Sequence, residues 1–99
     1  MYTWELRKRL NEMVEYLGTE FNWGRIKSRN IENMSDSQVY FLNSANYDLW
    51  FEIKASKKCT IGQYEELTRI AGRKPKLSRT AMSYFQAKKW IEQYSKKVS

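Results

Sequence analysis

The sequence predicts a small α/β domain in the order helix, three strands, helix, an optional further strand and a closing helix. Three observations carry that prediction. Residues 46–56, N-Y-D-L-W-F-E-I-K-A-S, alternate, with Tyr47, Leu49, Phe51 and Ile53 on one side and Asp48, Trp50, Glu52 and Lys54 on the other. A period of two rich in aromatic and β-branched residues is the pattern of a strand. Gln38–Leu42 precedes it across the loop N-S-A-N, a connection of hairpin length. Thr3–Leu17 and Thr60–Gly72 instead repeat their apolar residues at helical spacing.

Composition narrows the function classes. With 99 residues the chain is expected to form one domain, residues 1–99, just long enough for a single core. Hydrophobic residues at 41% and aromatics at 15% exclude a disordered chain. No apolar run approaches the roughly 18 residues of a membrane span. The start, M-Y-T-W-E-L-R-K-R-L, has charges at helical spacing and lacks the apolar centre of a signal peptide. A lone Cys59 cannot form an internal disulfide, so a reducing cytoplasm is the expected compartment. The absence of His removes imidazole catalysis and, with one Cys, the usual zinc sites. Any metal would have to be a hard cation on oxygen ligands.

Eighteen Lys and Arg against eleven Asp and Glu give +7, which predicts an anionic partner, nucleic acid being the commonest for a basic domain. Arg25, Lys27, Arg29, Lys57, Lys58, Arg73, Lys74 and Lys76 lie beside predicted turns and are the expected phosphate contacts. A membrane partner is disfavoured because no stretch joins a basic face to a strongly apolar one.

In chain order, Leu6, Leu10, Met13, Val14 and Leu17 form the apolar stripe of the first helix. Thr3 is placed to cap its start, Glu5 pairs with Arg9 at i, i+4, and Gly18 is placed to end it. Gly24–Ser28 is expected as a short first strand, and N-E-N-M-S-D-S as a turn. Gln38–Leu42 and Tyr47–Lys54 form the hairpin. T-I-G-Q from Thr60 fits a capping box with Gln63, Ile61, Tyr64, Leu67, Ile70 and Ala71 give the buried face, and Gly72 ends that helix. Beyond the basic turn R-K-P-K, two outcomes stay open: a strand over Arg79–Phe85 with a helix over Gln86–Lys96, or one long helix from Ser78.

Read together, these features resemble the PD-(D/E)XK nuclease superfamily, in particular archaeal-type Holliday junction resolvases and phage VRR-Nuc domains. The resemblance spans Glu5 to Gly72. It rests on a carboxylate in the first helix, R-I-K-S, an Asp before the second strand, E-I-K-A-S on the third, and a Gln opening the next helix. It implies a small restriction-endonuclease-like core and a metal-dependent endonuclease acting on DNA, including branched junctions. On that resemblance Asp36 and Glu52, with Glu5 or Glu12 from the first helix, would hold Mg²⁺ or Mn²⁺. Lys54 would steady the water or the phosphate, and Gln63 would support the site. The family's proline before the Asp is replaced by Ser35, so Asp48, on the same strand face as Glu52, stays open as the alternative ligand. Relatives of this kind act as dimers, which makes a homodimer the expected state, with Trp23, Trp50 and Trp90 as exposed interface residues.

Two other classes remain. L-T-R-I-A-G followed by L-S-R-T-A-M-S-Y-F resembles a helix-turn-helix over residues 60–97, with Arg79, Ser83, Gln86, Trp90 and Gln93 on its exposed face. That reading is a non-catalytic DNA-binding protein. A small phage-type inhibitor of a host nucleic-acid enzyme, or another mobile-element protein, fits the composition without a motif of its own.

Overall fold

The structure, a computed structural model, describes residues 2–98. It is built from α1 (Thr3–Leu17), α2 (Asp36–Ser56), α3 (Ile61–Ala71) and α4 (Tyr84–Val98), with short 3-10 turns at Gly18–Glu20, Ile31–Asn33 and Arg79–Ala81. Among the described residues there is no strand, only an isolated antiparallel bridge between Lys58 and Ser83. The expected α/β fold with a restriction-endonuclease-like core is therefore corrected to an all-helical one.

The correction centres on α2, which absorbs the whole predicted hairpin. Its start is a capping box: the Gln38 backbone N–H donates to Ser35 Oγ (3.3 Å), and the Ser35 N–H donates to Gln38 Oε1 (3.1 Å). From there Val39, Leu42, Asn43, Asn46, Trp50 and Ile53 are buried, at steps of three, one, three, four and three. Two asparagines inside that stripe made it look like a loop. Both are fully engaged. Asn43 Nδ2 donates to the Leu6 and Val39 carbonyls (3.2 and 2.9 Å), and its Oδ1 accepts from Arg9 Nε (2.8 Å). Asn46 Nδ2 donates to the Asn22 and Leu42 carbonyls (3.0 and 2.8 Å), and its Oδ1 accepts from the Asn22 N–H (2.7 Å). Buried amides with every bond made cost little and fix register. Lys57, in the left-handed conformation at φ 57°, ends the helix.

The other two predicted strands are also absent. Gly24–Ser28 runs as irregular backbone over α2, where Asn22 is pinned to Asn46. Arg79–Phe85 splits into a 3-10 turn and the start of α4, whose first turn is capped by Ser83 Oγ accepting from the Gln86 N–H (3.1 Å). The connection from α3 to α4 thus covers residues 72–83, and the helix does not begin at Ser78.

Leu6, Leu10, Met13 and Leu17 of α1 are buried with Phe21, Ile31, Met34 and the α2 stripe in one core. Arg7 closes its upper edge, its guanidinium donating to the Ile31 and Met34 carbonyls (both 2.7 Å) and to Asp36 (3.3 Å). With Arg7 beside Asp36, Arg9 beside Asn43 and Glu12 beside Lys54, α1 and α2 point the same way. The opposite flank of α1 receives α3, where Gly62 lies on the Glu15 carbonyl and Glu65 accepts from the Thr19 N–H (3.0 and 3.1 Å). A second, smaller core of Cys59, Leu67, Met82 and Ala87, flanked by Tyr64, Trp90 and Ile91, joins α3 to α4.

Candidate nucleic-acid interface

Charge divides between the two halves of the fold. Residues 57–99 carry eleven Lys and Arg against three Glu, a net +8, while residues 1–56 carry seven against eight, a net −1. Two of those three glutamates are already occupied: Glu65 caps the backbone at Thr19 and Glu66 pairs with Arg69, whose hydrogen bond lowers the Glu66 pKa. Lys57, Lys58, Arg73, Lys74, Lys76, Lys88 and Lys89 are all exposed.

Local structure sets where these cations lie: Lys57 and Lys58 before α3, Arg73, Lys74 and Lys76 after it, Lys88 and Lys89 on α4. The Cys59 N–H donates to the Met82 carbonyl (2.8 Å) and the Tyr84 N–H to the Lys57 carbonyl (3.2 Å), so the approaches to α3 and α4 are tied together. The Thr60–Gln63 capping box opens α3 as predicted, and Gln63 Nε2 also donates to the Tyr84 carbonyl (3.4 Å). Leu67 and Ala71 then face the same cavity as Trp90, Gln93 and Tyr94, so α3 and α4 run side by side in one direction. The 72–83 connection must cross back over them. Gly72, at φ 71°, ends α3, and Arg73, Lys74, Pro75 and Lys76 form the wall of that cavity, about 380 Å³ in volume. A helix-turn-helix instead sets its helices at a steep angle across a short turn, so the resemblance over residues 60–97 does not extend to geometry.

The exposed face of α4 also differs from the one expected. Phe85, 77% exposed, leads Lys88, Lys89 and Glu92 at helical spacing. Arg79 is half-buried with Nη1 donating to the Cys59 carbonyl (3.4 Å), Ser83 is the cap, Gln86 is half-buried, and Trp90 lies against the second core. Of the expected face, Gln93 is exposed. Phe85, Lys88, Lys89 and Tyr94 were missed; the 3.6-residue period of 84–98 was the available signal. Cys59 is buried and its Sγ donates to the Arg79 carbonyl (3.3 Å). Burial pushes its thiol pKa up, with Arg79 acting in the opposite sense, so it is placed as a core residue rather than a nucleophile.

Arg25, Lys27 and Arg29 belong to the other half, on the segment over α2, where the Arg29 guanidinium lies 5.3 Å from the Trp23 ring. The eight predicted phosphate contacts therefore form two groups, three there and five around α3. The predicted interface tryptophans are less exposed than expected. Trp50 is buried in the α2 stripe and Trp23 and Trp90 are half-buried, whereas Trp4, Tyr40, Phe41 and Phe51 are more than half exposed or close to it.

The residues expected to bind a metal do not converge. Asp36 and Glu52 sit 16 residues apart on one helix, roughly 24 Å along its axis at 1.5 Å per residue. Asp36 faces Arg7. Glu52 and Lys54, two residues apart, project about 200° from one another. Lys54 instead covers the Trp50 ring (4.8 Å) and reaches Glu12 Oε1 (3.4 Å). Glu5 is on α1, Gln63 is committed to its cap, and Asp48 is the one carboxylate a turn away from Glu52 on the exposed side. Among the described residues no three acidic or thiol side chains gather where one ion could be held. This donor set does not fit Mg²⁺ or Mn²⁺. Among the described residues no helix is long and apolar enough to cross a membrane. Comparison with known protein families, curated proteins and solved structures returns no match.

Proposed function

We propose that this chain is a nucleic-acid-binding domain that grips the phosphate backbone with its α3–α4 half, without a catalytic step. The observation that carries this reading is the segregation of charge: +8 in residues 57–99 against −1 in residues 1–56, with Arg73, Lys74 and Lys76 on one crossing connection. Such a surface attracts polyanions and gains affinity by releasing condensed counterions. DNA and RNA both satisfy it.

The test is a salt titration of affinity, read by fluorescence anisotropy with DNA and RNA oligonucleotides. The wild type is expected to weaken steeply with salt. Replacing Arg73, Lys74 and Lys76 together by Gln removes up to three phosphate contacts, so the log–log slope should fall by about 2–3. The matched Arg25, Lys27, Arg29→Gln variant should change it much less. A slope that falls only in that second variant, or no binding by the wild type at low salt, overturns the proposal.

A further inference from the structure

Resting on that reading, we propose that the cavity between α3, the 72–78 connection and α4 takes one unstacked nucleobase, so that the chain prefers single strands to duplex. Its volume of about 380 Å³ is at the lower end of small-ligand sites, roughly 300–1,000 Å³. Its lining is divided chemically. Trp90 and Tyr94, one turn apart on α4, supply two aromatic rings, Gln93 between them an amide with both donor and acceptor, and Arg73, Lys74 and Lys76 the cations.

A ligand that is only an anion uses the cations and leaves the rings idle. A nucleotide within a strand uses both. Its base stacks on the rings while its flanking phosphates meet the basic wall. In duplex DNA or RNA that base is held in the stack, and extruding it costs unpairing and unstacking. Tyr94 is 41% exposed and Gln93 is exposed, so an incoming base can reach both without unfolding the second core.

The probes are a labelled short oligothymidylate, an abasic strand of equal length and charge, and a duplex, each titrated by anisotropy. The abasic strand is expected to bind about tenfold more weakly than oligothymidylate, the effect of losing one base stack. Tyr94→Leu should bring oligothymidylate down toward the abasic strand while leaving abasic affinity unchanged. Gln93→Ala, at an exposed position, gives a second, smaller loss that no folding defect explains, and circular dichroism checks both variants. Equal affinity for oligothymidylate and the abasic strand overturns the inference but leaves phosphate binding intact. So does a preference for bases that survives in Tyr94→Leu. Failure of every probe to bind overturns the phosphate-binding reading itself.

Discussion

Gly62→Ala sets two effects of opposite sign against each other. Gly62 is in the first turn of α3, where helix propensity alone favours Ala by about 1 kcal/mol. Yet a Cβ built there would lie 1.7 Å from the Glu15 carbonyl oxygen and 2.9 Å from its carbon. The blocking atom is backbone of α1, so no rotamer change relieves it. To restore even a 3.0 Å contact the helices must part by at least 1.3 Å, loosening the Glu65 contact with Thr19 and the approach of the Tyr16 and Tyr84 rings, now 6.2 Å apart. Overpacking costs about 1–3 kcal/mol, and a rigid obstacle belongs at the upper end. The expected net loss is about 2 kcal/mol, which at roughly 4–8 °C per kcal/mol lowers the melting temperature by about 8–16 °C. Thermal melts followed by circular dichroism, with urea titration as a second measure, give the answer. An unchanged or raised melting temperature would refute the α1–α3 packing, and with it the way the two halves are joined.

Other perturbations test other joints. Arg7→Met strands the Ile31 and Met34 carbonyls, and urea unfolding should register a loss of about 2–3 kcal/mol. Asp36→Asn should cost less than about 1 kcal/mol, because the carboxylate is 69% exposed. Glu52→Gln should leave stability within about 0.5 kcal/mol and nucleic-acid affinity no weaker; a sharp loss of either would return Glu52 to a site. The raised Cys59 pKa means that the folded state disfavours thiolate. Stability from this group is complete below the unfolded thiol's pKa, about 8.5, and declines as pH climbs from there through the folded value. Melting temperatures across that range should fall less in Cys59→Ala, and a wild-type curve flat into alkali would contradict it. Asn46→Ala separates helix from hairpin most directly: an exposed hairpin loop tolerates Ala, whereas removal of the buried amide here strands the backbone N–H and carbonyl of Asn22, a loss of about 1–3 kcal/mol by urea unfolding.

The helices at Thr3–Leu17 and after Thr60 were legible because helical spacing and a terminal glycine agreed in both, and in the second a capping box as well, although its Ala71 is exposed rather than buried. Small departures remained. Tyr2 rather than Thr3 stands at the N-cap of α1, and Arg9 turns from Glu5 to Asn43. At α2 the signals conflicted. Tyr47–Lys54 satisfies a period of two only if Trp50 is put on the polar side with Asp48, Glu52 and Lys54. The helix buries Trp50 and exposes Tyr47 and Phe51, which stack on each other at 5.9 Å. Asn43 and Asn46 made a loop plausible because their partners outside the helix, Leu6, Arg9 and Asn22, are 24 or more residues away in sequence. The Ser35–Gln38 capping box is a helix-start signal set in a stretch, N-E-N-M-S-D-S, whose composition is that of a turn.

For the basic surface, the count was legible and most of the placement was not. A total of +7 is the sum of a half at +8 and a half at −1, which the charge order along the chain separates. The cavity needs more than a sum. Arg73–Lys76 are brought over Trp90 and Tyr94, some 14 to 21 residues later in the chain, only because α3 and α4 run in the same direction. That direction is imposed by the tie between Lys57–Cys59 and Met82–Tyr84, which fixes both helix starts at one end. The connection must then travel the length of the pair, carrying its cations past the later turns of both helices. Backbone hydrogen bonds between segments more than 20 residues apart have no local signature, so from sequence R-K-P-K reads only as a basic turn. The same tie is why the rings and the cations meet at all.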